Sequence, residues 1–370
     1  MRKFNLLLLA VLGISAMACD DDEEYRGDWA KGVSYGGEPR TAAVSFVINN
    51  VAYVGLGYGA SNAEFNSFYK FENGGWSSAT SLPEKRVGSD TLVKGRHGAV
   101  AFVIDNCAYV GTGFVAAYTN PGTGAKREKE YLRDFYKYDA ATNTWTQLPN
   151  LPGKGRRDAI AFSIGGYGYV GTGRGFGEGG ASEMSYKDFY RYDPKTNEWK
   201  EITYDGNARY GAVAFVIAGA AHVCLGQEDN SVAALDHYKF IPGSNGDGTW
   251  VKMQSLADKP KNRQDAFYGR IPRYYAVSFI AKNNEEEGEY AYVTSGSGSN
   301  GLYTWWYDHV RDLWHEVEDL PTRAAISQAV AFSINGTGYF TTGGTSFDAT
   351  PTAQTWYFIP NVKEDRGNDY

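Results

Sequence analysis

The sequence predicts an all-β chain folded as a six-bladed β-propeller with four strands per blade. Three observations predict it. A motif of the form A-[VI]-[AS]-F recurs six times, as RTAAVSF, RHGAVAF, RRDAIAF, RYGAVAF, RYYAVSF and ISQAVAF, with Phe46, Phe102, Phe162, Phe215, Phe279 and Phe332 spaced by 56, 60, 53, 64 and 53 residues. Each copy is followed by a second apolar run ending in glycine, at 57, 113, 173, 226, 296 and 343. The composition is also that of many short strands and tight turns: 45 Gly in 370 residues, 15% aromatic, and only 12 Pro. Repeats of about 50 residues mean a closed or stacked array rather than two or three ordinary domains.

Each strand has its own signal. From the Phe to the closing glycine the distance is 11 residues in five copies and 17 in the fifth, where NNEEEGE is inserted. Asn49-Asn50, Asp105-Asn106, Gly165-Gly166 and Asn335-Gly336 stand between the first two strands and accept the positive φ of a two-residue hairpin. A third strand carries aromatic residues on alternate positions: Tyr69/Phe71, Tyr136/Tyr138, Tyr190/Tyr192, Tyr238/Phe240, Trp305/Tyr307 and Trp356/Phe358. A fourth opens on Trp76, Trp145, Trp199, Trp250 and Trp314, and the sixth copy lacks it. Trp29 precedes Arg40 by 11 residues, as Trp145 precedes Arg156. Residues 28–35 therefore supply the missing outer strand of the last blade, closing the ring and leaving no open edge there.

The chain divides into residues 1–18 (a signal peptide), 19–27 (an acidic tether), 28–360 (the propeller) and 361–370 (a tail). Arg2 and Lys3, then the apolar run Leu6–Ile14, then Ala16 and Ala18 form an export signal. Its apolar stretch is short for a membrane span. Ala16-Met17-Ala18 suits ordinary secretion. Cys19 at the cut point also resembles the acylated cysteine of a bacterial lipoprotein, with Ala16 where a lipobox usually has Leu. Asp20–Glu24 is a solvated, self-repelling spacer. It also resembles the acidic stretch behind the lipid-bearing cysteine of surface-exposed Bacteroidetes lipoproteins. The expectation is an outer-membrane lipoprotein facing the surface, with a periplasmic or secreted protein as alternative.

The net charge of −7, two units more acidic without Arg2 and Lys3, argues against nucleic acid as a partner. Three Cys and five His show no metal-ligand spacing, so neither a metal nor a cofactor is expected. Cys107 and Cys224 read as buried small residues. The glycine-rich G-R-G-F-G-E-G-G (173–180) follows a strand without opening a helix, so it is no phosphate cradle.

The Arg before strand one, the glycine after strand two and Y-D…N-x-W before strand four resemble the kelch-repeat, galactose-oxidase-type propellers over about residues 28–360. In most copies here G-T-G or G-L-G stands where that family has G-G. The resemblance implies the fold and is nearly silent about function. The long links 77–95, 114–133, 174–188 and 251–272 fall on one face, and the Glu285–Glu287 insertion on the other. Arg40, Arg96, Arg156, Arg209, Arg273 and, for the sixth blade, Arg323 are expected around the channel mouth. His97, Arg157, Asp158, Tyr210, Tyr274 and Tyr275 stand beside them. Two readings of the arginines stay open. They bind backbone carbonyls or carboxylates and fix the blade angle, or at least two of them face an anionic ligand bidentately. Tyr118, Phe176, Tyr186, Phe267, Tyr268 and Trp306 in or beside the loops either stack on a ligand or pack the loops down.

A narrower resemblance is to the bacterial N-acetylneuraminate epimerases, six-bladed kelch propellers. It implies an Arg-lined pocket and a Glu in the second-to-third-strand link of a middle blade. Glu228 in Gly226-Gln227-Glu228 matches that place and would be the acid/base. Val232-Ala233 stand where the resemblance would place a following Arg. The expected function is recognition of an anionic carbohydrate or a protein partner on the loop face. The alternatives are a mutarotase for an acidic sugar and an architectural envelope subunit.

Overall fold

In the computed structural model the six repeats become six four-stranded antiparallel sheets in a ring. The structure describes residues 27–87, 91–93, 95–119, 122, 124, 126–177, 180, 182–257, 268–283, 288–321, 326–345, 350–360 and 362. Blade one is Val44–Ile48, Val51–Gly55, Phe68–Glu72 and Gly75–Ala79. Blades two, three, four and five begin at Val100–Ile104, Ile160–Ile164, Val213–Ile217 and Val277–Asn283. Blade six is Val330–Ile334, Thr337–Thr341 and Thr355–Ile359, with Asp28–Lys31 as its outer strand. Trp29 faces Phe358 in that pairing, so the ring closes by hydrogen bonds between the two ends of the chain.

Trp29 also repeats the role of the other outer-strand tryptophans. Trp145, Trp199 and Trp250 each donate their indole N–H to a carbonyl just past the outer strand of the preceding blade, Thr80, Pro149 and Thr203, at 3.1, 3.1 and 2.7 Å. Trp29 does the same to Glu318 of blade five at 3.2 Å, and Trp76 to Val33 at 3.1 Å. Trp29 is 3% exposed and its ring lies against Phe279 and Phe340.

The A-[VI]-[AS]-F phenylalanine stacks on the same cross-strand position in every blade. It stacks on its cross-strand neighbour: Phe46 on Tyr53, Phe102 on Tyr109, Phe162 on Tyr169, Phe279 on Tyr292 and Phe332 on Tyr339, with centroids 4.9–5.3 Å apart. The Y-D…N-x-W turn also has a physical reason. Asp139, Asp193 and Asp308 accept a backbone N–H two residues on, at 2.9 Å each. Asn143, Asn197 and Asp312 take positive φ and accept the hydroxyl of Tyr138, Tyr192 or Tyr307 at 2.6–2.8 Å.

Blade four departs from the pattern. Its Tyr position is His222, stacked on Phe215 at 5.1 Å, and His222 Nδ1 lies 2.9 Å from His237 Nε2. The two are 2% and 0% exposed, and His237 Nδ1 is buried without a partner. Burial first, then each pair's neighbours (His237, Lys239 and His309 for His222; Lys239 for His237), lower both pKa values far below 6.5. Cys224, two residues on, is buried, whereas Cys107 is only half-buried at a hairpin start.

Both imidazoles are neutral in the folded chain and take up protons on unfolding. The unfolded state thus binds more protons at any pH below its own histidine pKa, and stability falls as pH drops through about 6.5. Each such group removes up to about 1.4 kcal/mol per pH unit. The melting temperature is expected to fall between pH 7.5 and 5.0. The double substitution His222→Tyr with His237→Phe, which restores the residue types of blades one to three, should flatten that slope. An unchanged slope would place the acid sensitivity elsewhere.

Candidate functional site

Two consecutive rings of backbone define the channel mouth on the loop face. Two residues past each blade's leading Arg (Ile326 in blade six), the chain takes positive φ at Ala42, Gly98, Asp158, Gly211, Tyr275 and Gln328. Each of these N–H groups donates to the same position of the preceding blade: Gly98 to Ala42, Asp158 to Gly98, Gly211 to Asp158, Tyr275 to Gly211, Gln328 to Tyr275, and Ala42 to Gln328, at 2.8–3.3 Å. A second ring lies below it. Gly57, Gly113, Gly173, Gly226, Gly296 and Gly343 donate to Arg96, Arg156, Arg209, Arg273, Ile326 and Arg40 carbonyls of the next blade at 2.7–2.9 Å. The residue before each of these glycines, as in G-T-G and G-L-G, also has positive φ. The departure from G-G therefore keeps the backbone path of two left-handed residues and carries a side chain at the first.

The leading arginines serve this framework. Arg40, Arg96, Arg156, Arg209 and Arg273 are 0–2% exposed. The first four donate to the carbonyl 16 residues on (Leu56, Thr112, Thr172 and Leu225) at 3.0–3.2 Å. Arg96 and Arg156 add bidentate pairs to Asp134 and Asp188, and Arg209 pairs with Asp236. Arg273 is held by backbone carbonyls of Arg270, Ile271, Ser295 and Tyr303, and burial lowers its pKa to about 9. None of the five guanidinium groups lies at the mouth as a ligand trap. Of the two readings open from the sequence, blade fastening describes their geometry. Arg323, Cys19 and Phe267 lie outside the described residues.

The mouth itself is lined one position later. Thr41, His97, Arg157, Tyr210 and Tyr274 pair with Tyr58, Phe114, Arg174, Gln227 and Ser297 in single β-bridges. In blade three both members are cationic. Arg174 Nε lies 3.2 Å from Asp158 Oδ2, its Nη2 donates to the Tyr275 hydroxyl at 2.9 Å, and its guanidinium covers the Tyr210 ring at 4.2 Å. Tyr275, from blade five, donates to the same Asp158 oxygen at 3.0 Å. Arg157 is held more loosely. Its carboxylate neighbours are Glu183 at 3.6 Å and Asp158 at 3.7 Å, and its Nε is buried without a hydrogen-bond partner. Its other face lies over Phe114 at 5.2 Å. His97 sits between Phe114 and Tyr58, 3.4 Å from Glu64, which also takes Arg127 and the Ala116 N–H.

Glu183, Tyr131 and Arg174 were not among the residues singled out from sequence. They come from the long links of blades two and three, which fold as two-stranded hairpins beside the mouth. Tyr131 donates its hydroxyl to Glu183. Burial raises the Glu183 pKa, but the Tyr131 hydrogen bond and the Arg157, Arg174 and Lys129 charges outweigh it, so the net shift is downward. Burial and the Glu183 hydrogen bond push Tyr131 up to about 12. The site thus holds an ionised carboxylate against a protonated phenol, between two guanidinium groups.

Glu228 lies apart from this cluster. It accepts from Asn207 Nδ2 at 3.0 Å and lines a separate cavity of ≈ 290 Å³ with Asp236, Leu235 and Lys252. Gln227 points into the mouth instead, accepting from the Tyr210 hydroxyl. Of the loop aromatics, Tyr118 is exposed, Phe176 packs on Tyr131 at 4.8 Å, and Tyr186, Tyr268 and Trp306 are buried.

No family model matches the chain. It is similar to the N-acetylneuraminate epimerase of Yersinia enterocolitica serotype O:8 / biotype 1B, 27% identical over 171 residues, 45% of this chain and 41% of that protein. It is also similar to the N-acetylneuraminate epimerase of Yersinia pestis (strain Pestoides F), 30% identical over 130 residues, 34% of this chain and 32% of that protein. The match spans about a third to two fifths of these curated relatives. Among solved structures, that of YjhT superposes with a TM-score of 0.63 over 88% of this chain and 95% of that one, at 14% identity. The chain is a six-bladed propeller with weak homology to N-acetylneuraminate epimerase.

The fastening role of the arginines has a direct consequence. Arg96→Ala removes the bidentate guanidinium partner of Asp134, a carboxylate 5% exposed in its side chain. A loss of about 3–5 kcal/mol is expected in denaturant unfolding. A change under 1 kcal/mol would contradict the fastening role.

Proposed function

We propose that the chain is a cell-envelope recognition protein that binds an acidic sugar at the loop-face mouth, with Arg157 taking the sugar carboxylate. The observation that carries this reading is the state of Arg157: half-buried, ringed by Phe114 and Tyr131, with its carboxylate contacts beyond hydrogen-bond distance. A ligand carboxylate gains two parallel N–H···O bonds there by displacing contacts that are long already. Aromatic rings beside a guanidinium suit the apolar face of a sugar ring. The weak homology to an epimerase of an acidic sugar supports the same ligand class.

With sialic or uronic acids at a hundred times their dissociation constant, binding adds about 2.7 kcal/mol of stability. That amounts to a rise of at least a degree or two in the melting temperature. Arg157→Ala should abolish that rise while neutral sugars produce none in either protein. A rise retained in Arg157→Ala removes Arg157 from the site. No rise with any sugar points to a protein partner on the same face.

A second reading is favoured by one contact, that of Tyr131 with Glu183. A mutarotase needs a base to take the anomeric hydroxyl proton while an acid protonates the ring oxygen. The ring C–O bond then breaks as the carbonyl forms, and reclosure on the other face reverses both transfers. Glu183 and Tyr131 are a base and an acid at the carboxylate anchor. Proton NMR of anomer exchange decides it. Acceleration by the wild type that is lost in Glu183→Gln and kept in Glu228→Gln assigns the chemistry to this cluster, and no acceleration by the wild type leaves recognition alone.

The membrane link is proposed on sequence: Cys19 as the acylated first residue of an outer-membrane lipoprotein, with the acidic tether behind it. Metabolic labelling with an alkynyl fatty acid should mark the wild type and not Cys19→Ala. Unlabelled wild type recovered in soluble form would mean ordinary secretion.

A further inference from the structure

The channel has a cavity of ≈ 800 Å³ at its hairpin-turn end. Blade five reaches furthest there, because its first two strands, Val277–Asn283 and Gly288–Thr294, are seven residues long against five in the other blades. Lys282 and Glu289 are cross-strand partners on those extensions. Both are exposed and both line the cavity, yet neither forms an ion pair with another described residue. His309 also lines it, with Nδ1 buried and no hydrogen-bond partner. Asn50, Asn335 and Ser333 add to the polar part, and Ile280 with the 216–218 corner forms an apolar wall.

A cation and an acid a strand apart, each without an ion-pair partner among the described residues, match a ligand carrying both charges. The donors around Lys282 exceed the needs of a carboxylate. One ammonium, two amides and an imidazole suit the four oxygens of a phosphate ester. Glu289 is placed to accept from a primary ammonium. The volume lies within the range of ligand sites and far exceeds a phosphoethanolamine, leaving the apolar wall for glycerol and the first methylenes.

The chain ends are at the same end of the propeller. Asp28 pairs with Ile359, and Phe358 pairs with Gly338 beside the 335–336 turn. Gly27 and Val362, hydrogen-bonded at 3.0 Å, therefore lie at the hairpin end of blade six. Eight residues from Cys19 reach at most about 28 Å. We propose that the hairpin-end cavity is a headgroup site for a phosphoethanolamine-type lipid. It docks this end of the propeller on the bilayer and turns the Arg157 mouth away from it. The orientation rests on the acylation proposed above; the headgroup site does not.

The full chain carrying Cys19→Ala removes the acyl anchor and tests the cavity by itself. Co-sedimentation with vesicles of phosphatidylethanolamine and phosphatidylcholine should exceed that with phosphatidylcholine alone, or with phosphatidylcholine and phosphatidylglycerol, at least tenfold. Lys282→Met and Glu289→Gln should each reduce it at least fivefold with melting temperature unchanged. Free O-phosphoethanolamine should compete. Equal binding to all vesicles, or binding insensitive to both substitutions, overturns the site. Binding of free phosphoethanolamine without vesicle binding overturns the lipid. Arg157→Ala should sediment like its parent, and the two cavity variants should keep the acidic-sugar melting shift. Failure at one end of the channel is thereby distinguishable from failure at the other.

Discussion

Six backbone hydrogen bonds, from Gly98 to Ala42 around to Ala42 itself, hold the propeller at its axis. Each needs positive φ, and the six positions have φ of 50–63°. Only two are glycine. Ala42, Asp158, Tyr275 and Gln328 hold a conformation that costs non-glycine residues about 1–3 kcal/mol each. A hydrogen bond contributes about 1 kcal/mol net, so the ring does not sustain itself. It persists because the buried arginines, the glycine ring beneath it and the Phe–Tyr stacks fix the chain on both sides. In return it sets the radius of the mouth and the direction of the next side chain in every blade.

This division of labour separates the two arginine sets. A leading Arg reaches back into its own blade to the carbonyl before the closing glycine, where the left-handed residue turns that carbonyl inward. These guanidinium groups are shielded from solvent, so carbonyls and Asp134, Asp188 or Asp236 must accept from their donors. Arg157 has no such pocket. It stands one residue further toward the axis, over an aromatic ring, where partial solvent access tolerates a loosely paired charge.

The blade architecture was legible because propeller packing is local and repeated. In most copies the Phe, Tyr and Trp meet the same partners, so their periodicity carries the fold, and even closure showed in the 11-residue spacing of Trp29 to Arg40. The site was only half legible. Arg157, Asp158, Tyr210 and His97 adjoin a repeated motif, and that motif carries them to the mouth. Glu183 and Tyr131 sit in links of unequal length, where nothing repeats and only the hairpin pairing brings them to the mouth. Glu228 and Gln227 show the finer obstacle. Along an extended segment neighbouring side chains point to opposite sides, and a one-residue difference decides which enters the channel.

The bridge pairs at the mouth suggest how such a scaffold acquires chemistry. In blades one to four the partners are 17 residues apart: Thr41/Tyr58, His97/Phe114, Arg157/Arg174 and Tyr210/Gln227. Their backbones are held by the same two rings, so either side chain is free to vary without altering the fold. Blade three places two cations there, and its neighbours place aromatic rings. Two cations so close would repel unless compensated, which is what Asp158 and Glu183 do. Asp158 lies in the inner ring, its backbone fixed by both neighbouring blades, and belongs to the framework. Glu183 lies on a hairpin, 3.6 and 3.8 Å from the two arginines, and is the partner an incoming carboxylate would displace. On the proposed reading, the asymmetry between a fixed and a displaceable counter-charge would confine anion binding to one edge of an otherwise sixfold mouth.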